Sequence, residues 1–291
     1  MNIQWYPGHM TKARRMMQEN MKLIDLIIEL VDARAPLSSR NPDIDDLGRG
    51  KARLILLNKA DLASEHWNKM WADYFRSKGF FVVKLDSRSR AGMKEIQDVI
   101  REACGEKIER DKKRGILNRP IRAMVAGIPN VGKSTFINSF AGKACTKTGN
   151  KPGVTKGAQW IRLNKQTELL DTPGILWPKF DDQEVGIRLA FLGSVNDEIL
   201  NLQELAGRLG AFLTEHFPES LMERYKNIRS DLKAPHELLL EIARVRSCLT
   251  KGGEPDVERA ASLLLEDFRS GRLGKITLEF PEEGEYDKSI S

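Results

Sequence analysis

The sequence predicts an α/β domain followed by a smaller all-helical one, and three observations lead there. Apolar runs at 26–31, 53–57, 80–85 and 122–126 alternate with amphipathic stretches, the pattern of a largely parallel sheet covered by helices. Beyond about residue 178 that alternation stops, and apolar residues recur at helical spacing, as in Ile199, Leu202, Leu205, Leu209 and Phe212. Within the first part, Gly127-Ile-Pro-Asn-Val-Gly132-Lys133-Ser134 fits G-x-x-x-x-G-K-[ST] between a strand and a helix start.

Taken in order, an aromatic and Pro-Gly opening, Trp5-Tyr6-Pro7-Gly8-His9-Met10, precedes a helix from Lys12 to about Leu23 that Thr11 can cap. The strand at 26–31 ends in Asp32-Ala33-Arg34, and residues 35–50 read as a loop. The strand at 53–57 delivers Asn58-Lys59-Ala60-Asp61. Ser64 then caps a helix whose Trp67, Met70, Trp71, Tyr74 and Phe75 recur at three and four residues, a stripe read as core packing. The strand at 80–85 leads into Asp86-Ser87-Arg88, and a helix follows over 93–103. Residues 106–120 are charged and poorly periodic, and read as a linker. After the glycine loop and its helix come a Gly/Thr/Lys loop at 143–156, then a strand pair at 159–163 and 167–170 that ends in Asp171-Thr172-Pro173-Gly174. Helices are expected at 185–192, 198–216, 235–249 and 257–268, with one short strand at 276–280. The domains are therefore 1–178 and 179–280, with a mobile tail at 281–291.

No run of about 18 uncharged apolar residues is present to cross a bilayer, and the N-terminus lacks a signal-peptide core, so a cytoplasmic protein without a membrane partner is expected. Cys104, Cys145 and Cys248 are isolated and suggest neither a disulfide framework nor a zinc site. Net charge is +6 but uneven: residues 1–178 hold 32 Lys+Arg against 19 Asp+Glu (+13), leaving 15 against 22 (−7) for the rest. A basic excess on the half with the glycine loop suits a polyanion such as RNA, although a solvated basic surface also explains it.

Each motif has a chemical reason. Gly127 and Gly132 let successive N–H groups approach phosphate oxygens at a helix N-terminus, along the backbone from Asn130 through Val131 to Thr135. Lys133 supplies charge to the β and γ phosphates, and Ser134 a hydroxyl to Mg²⁺. In N-K-A-D, the Asp61 carboxylate can accept from guanine N1–H and N2–H₂, a donor pair adenine lacks. Asn58 supports the base edge and loop, Ala60 lies between, and the Lys59 stem covers the ring. Asp86 and Ser87 offer a backbone N–H to guanine O6. Asp171 would hold Mg²⁺ through water, the Gly174 N–H would meet the γ-phosphate, and Thr155 would add a hydroxyl to Mg²⁺ and sense the third phosphate.

The order of these motifs is unusual. In a Ras-like GTPase the glycine loop comes first and N-K-x-D late, whereas here Asn58–Asp61 and Asp86-Ser87 precede Gly127. The fold expected is a circularly permuted Ras-like P-loop GTPase domain followed by the helical domain. With that order, the opening Trp5-Tyr6-Pro7-Gly8-His9-Met10 and Asp32-Ala33-Arg34, the chain closely resembles the YlqF-like ribosome biogenesis GTPase A family over nearly its whole length.

The resemblance implies a cytoplasmic GTPase, using GTP/GDP and Mg²⁺, that binds the large ribosomal subunit, both rRNA and ribosomal proteins, late in assembly and is stimulated by it. It also implies His9 as the residue that orients water, because Ile175 follows Asp171-Thr172-Pro173-Gly174 where Ras-like enzymes carry glutamine; a structural histidine is the other reading. Asn130 matches a K⁺-coordinating position of related GTPases, with a loop asparagine bonding its own backbone as the alternative. For RNA, Arg224, Lys226, Arg229 and Lys233, Arg244 and Arg246, Lys112 to Arg114, and Lys143, Lys147, Lys151 and Lys156 are equal candidates. The reading is a monomeric GTP hydrolase that docks on the subunit with GTP and Mg²⁺ and leaves after hydrolysis. Its rivals are a GTP-gated protein-interaction switch without an RNA partner and a P-loop kinase with an incidental N-K-A-D.

Overall fold

A computed structural model describes residues 3, 8–146, 158–228 and 235–281. The chain divides into two units between Lys179 and Phe180; Ile3 groups with the second, and the segment from Thr277 groups with the first.

In the first unit, α1 (Gly8–Asn20) leads to β1 (Leu26–Asp32), α2 (Pro42–Leu47), β2 (Ala52–Asn58), α3 (Glu65–Ser77), β3 (Phe81–Lys84), α4 (Met93–Ala103), α5 (Gly105–Lys113), β4 (Ile121–Gly127), α6 (Lys133–Ala141), β5 (Gln159–Arg162) and β6 (Thr167–Asp171). The sheet order is β3-β2-β1-β4-β6-β5, parallel throughout except for the β5–β6 pair. Numbered from β4 as the first strand, the order becomes 6-5-4-1-3-2 with only the second strand reversed, consistent with a Ras-like sheet reopened at another point. β1 is buried along its whole length, as a central parallel strand covered on both faces must be. The aromatic stripe of α3 packs into the core as expected: Trp71 and Phe75 are buried against Val31, Ile55 and Leu57.

Several elements differ from the sequence reading, for local reasons. The helix expected from Lys12 begins at Gly8, so Thr11 lies inside it. The loop at 35–50 contains α2, because the Asn41 side chain accepts from Asp43 N, Pro42 takes the first helical position, and Asp43 and Asp45 face the positive helix end. The stretch read as a linker at 106–120 begins with α5, where Lys107 pairs with Asp111 and Lys112 with Glu109 one turn apart, and Lys107 also reaches Asp25. No strand forms at 276–280. Instead Thr277–Phe280 lies along the first unit as an extended strap: Leu278 N donates to Arg34 O (2.7 Å), Trp71 Nε1 to Glu279 O (3.0 Å), and the Trp67 and Phe280 rings meet edge to face. The Glu279 carboxylate accepts from Leu37 N (2.7 Å), Ser38 N (2.9 Å) and Ser38 Oγ.

The second unit holds α7 (Gln183–Phe191), α8 (Leu202–His216), α9 (Pro218–Arg224), α10 (Pro235–Val245) and α11 (Val257–Ser270). Leu205, Leu209, Leu239, Ile242, Leu264 and Phe268 form its core. Buried Asp267 is held by Arg224, Tyr225 and Arg272. The sequence reading missed α9, a short helix whose start is set by Pro218 rather than by apolar spacing. The tail beyond Pro281 lies outside the described residues.

Candidate functional site

The C-terminal ends of β1, β2, β4 and β6 converge, and short bonds between their loops build the site. Asn58, buried at the end of β2, donates from Nδ2 to Val131 O (2.8 Å) in the glycine loop. Its Oδ1 accepts from Ser87 N (3.2 Å) and Ser87 Oγ (2.8 Å) after β3. One amide thus ties N-K-A-D, the Asp86-Ser87 loop and the glycine loop together, although 73 residues separate Asn58 from Val131. Ser139 Oγ of α6 closes the same junction on Ser87 O (2.7 Å).

The glycines are required by contact. Gly127 has φ +150°, and a Cβ there would stand 2.6 Å from Leu30 O; Gly132 has φ +102°, and its Cβ would run into Asn58 Nδ2. At Gly174 a Cβ would meet Lys133 Nζ at 2.8 Å and the Pro129 backbone at 2.9 Å. D-T-P-G therefore touches the glycine loop and its lysine directly. Thr172 Oγ1 fixes that contact by donating to Val125 O (2.7 Å).

Lys133 is buried and folds back onto its own loop, Nζ donating to Gly127 O and Ile128 O at 2.9 Å. Burial lowers its pKa, and the facing Asp171 charge opposes this. For Asp171, burial raises the pKa while Lys133 opposes. Asp171 Oδ1 is buried without a hydrogen-bond partner among the described residues. An unpartnered carboxylate oxygen facing Lys133, with a half-buried hydroxyl at Ser134 next in the chain, suits a hard, oxygen-seeking cation, so these residues fit Mg²⁺. Thr135 is half-buried in the first turn of α6.

In the N-K-A-D loop, Lys59 sits at φ 58°, in the left-handed region. Its Nζ donates to Asp32 Oδ2 (2.8 Å) and to the carbonyl of Asn130 (2.9 Å), itself at φ 59°. Ala60 N donates to Leu85 O (3.0 Å). Asp61 is exposed, and its pKa is raised by partial burial and by the nearby Asp86 charge. Asp86 is itself lowered: burial works against its charge, but donors from Ser89 and the Arg88 N–H outweigh it.

His9 lies in the first turn of α1, and its side chain is outside the described residues, as is Thr155. The neighbouring Met10 is buried, its sulfur accepting from Leu176 N (3.5 Å) just after D-T-P-G. Ile175 is buried, and its carbonyl accepts from Asn41 Nδ2 (3.2 Å). Of the RNA candidates, Lys147, Lys151, Lys156, Arg229 and Lys233 are outside the described residues, and Arg224 is bonded bidentately to Asp267.

Sequence reasoning did not give Asn41, Met10 and Thr172 their roles as clasps of the D-T-P-G exit. Asn41 had a visible signal, an Asn-Pro-Asp cap sequence; a methionine sulfur accepting an N–H carries none.

Comparison with known proteins bears on what this site does. Over 283 residues the chain is 50% identical to the ribosome biogenesis GTPase A of Bacillus cereus, covering 97% of this chain and 95% of the relative. The chain belongs to the ribosome biogenesis GTPase A family. The Thermotoga maritima member is 34% identical over 97% of this chain and 95% of its own length. Residues 122–240 match the model of the 50S ribosome-binding GTPase family. Among solved structures, a GDP-bound YlqF is 28% identical at a TM-score of 0.61, covering 92% of this chain and 99% of the other. The GNP-bound YlqF from T. maritima is 29% identical at 0.59, covering 94% and 99%. The protein is accordingly a GTPase that binds a guanine nucleotide.

Proposed function

We propose that this GTPase is a late assembly factor of the large ribosomal subunit, docking with GTP and Mg²⁺ bound and leaving after hydrolysis. The observation that carries the nucleotide chemistry is the Asn58 amide, which joins the base-reading and phosphate-binding loops in spite of their reversed order. The ribosomal role follows from the names of relatives up to 50% identical.

In this reading Asp61 accepts from guanine N1–H and N2–H₂, and the Lys59 stem lies against the ring. Lys133 exchanges the carbonyls of Gly127 and Ile128 for β- and γ-phosphate oxygens, and the Gly174 N–H meets the γ-phosphate. Ser134, Thr155 and Asp171, the last through water, would hold Mg²⁺, which supplies neutralising charge to the phosphates when bound. Ile175 has no polar group to orient water, and the family resemblance gives that role to His9 on the bound subunit. A K⁺ ion at Asn130 is the remaining charge-supplying element, and exchange of K⁺ for Na⁺ without loss of turnover removes it. The partners are rRNA and ribosomal proteins, the setting is the cytoplasm, and the acting form is a monomer.

Sedimentation with precursor large subunits tests the proposal. Co-sedimentation with a GTP analogue and release with GDP are expected; equal binding in both states refutes it. His9→Ala should retain nucleotide affinity and lose subunit-stimulated turnover.

A further inference from the structure

Asp32 closes β1, directly opposite Asn58 of N-K-A-D in the β1–β2 register. Its carboxylate is 1% exposed and fully engaged: Oδ1 accepts from Arg34 N (3.1 Å) and Nε (2.9 Å), and Oδ2 from Arg34 Nη2 (2.9 Å) and Lys59 Nζ (2.8 Å). Arg34 is buried to the same degree, and its carbonyl is held by Leu278 N. One carboxylate therefore stands between two cations away from solvent, an arrangement stable only while all three members are present.

The Lys59 ammonium spans two left-handed residues, its own backbone at φ 58° and Asn130 at φ 59°. For a lysine that conformation is uncommon, and it persists where the surroundings over-determine it. Without Asp32, the ammonium would keep the Asn130 carbonyl but lose the carboxylate that stands between it and the Arg34 guanidinium.

We infer that Asp32, braced by Arg34, is a positioning residue for nucleotide binding: it aims the Lys59 side chain across the base pocket and clips the base loop to the glycine loop through Asn130. The inference rests on the proposed place of Lys59 against the guanine ring. Because Lys59 serves the base side, the residue acts on affinity for GDP and GTP alike and not on the phosphate-transfer step.

The test compares wild type, Asp32→Asn, Lys59→Met and the double variant by GDP and GTP-analogue titration, with turnover at saturating GTP. Loss of a charged hydrogen bond corresponds to roughly a 10- to 100-fold weakening. Each single variant is expected to lose that much for both nucleotides, the double variant being no weaker than the weaker single, and kcat in Asp32→Asn is changed less than about threefold. Normal affinity in Asp32→Asn, a loss confined to kcat, or losses that multiply in the double variant overturns the inference. Should Asp32→Asn not fold, Lys59→Met against the double variant decides: equal affinities support the inference, and a double more than about threefold weaker overturns it. Asp61→Asn is the control for the underlying reading, since an amide can donate to the C2 oxygen of xanthine. If it leaves guanine preferred over xanthine, the base-site reading itself fails; if it shifts preference while Asp32→Asn binds normally, only the role of Asp32 fails.

Discussion

The contact between Gly132 and Asn58 can be measured as an energy. An alanine at Gly132 faces two penalties. At φ +102° a side chain costs at least about 1–2 kcal/mol in backbone strain. Its Cβ would also displace Asn58 Nδ2 from the 2.8 Å bond to Val131 O, leaving buried polar groups unpaired at about 1–3 kcal/mol. Gly132→Ala should thus destabilise the nucleotide-free protein by about 2–5 kcal/mol. In an Asn58→Ala background the obstructing amide is gone and only the strain remains. The double-mutant cycle, run by urea unfolding followed at the tryptophans, should give a coupling energy of about 1–3 kcal/mol. Additivity within about 0.5 kcal/mol would mean that the two loops do not touch as described, and the site built on that junction would fail with it.

Other expectations follow from the same structure. Glu279→Gln turns an amide nitrogen toward the Leu37 and Ser38 donors, so at least one charged hydrogen bond is lost and the urea midpoint should fall by the equivalent of about 2 kcal/mol. Cys104, pushed up to about 12 by burial and the Asp25 charge, should resist a thiol reagent at pH 8 in the folded protein, while half-buried Cys145 reacts first, as read by peptide mass mapping. Burial opposes the Asp32 charge, but Arg34 and Lys59 overcome it and hold the carboxyl far below its ordinary 3.8. A depressed folded value means stability that is complete above 3.8 and is lost as pH falls toward the folded value. Wild-type stability should therefore fall more steeply than that of Asp32→Asn below about pH 4, measured by urea midpoints across pH.

What could be read from the sequence was whatever local chemistry fixes. Gly127, Gly132 and Lys133 mark an expected phosphate site through spacing alone, and the approach of the Asn58 loop to the glycine loop was legible once loop order was treated as movable. The charge-rich stretch after Cys104 misled because helices held by Lys107–Asp111 pairs lack the apolar rhythm that marks a buried face. The alternating residues Ile276 to Phe280 looked like a strand, yet no strand among the described residues partners them. Their donors and acceptors go to Arg34, Leu37, Ser38 and Trp71, more than two hundred residues earlier, and no local pattern encodes such partners.

That strap alters how the protein can be dissected. Ending the chain at Lys179 to isolate the GTPase unit would also strip away Thr277–Phe280, uncovering the Trp71 indole and leaving the Leu37 and Ser38 amides without their acceptor. Any activity lost by such a truncation would be charged to the missing helices when it belongs to four residues. A faithful deletion splices residue 179 to 277 through a flexible linker, because the chain returns to the first unit after the helices.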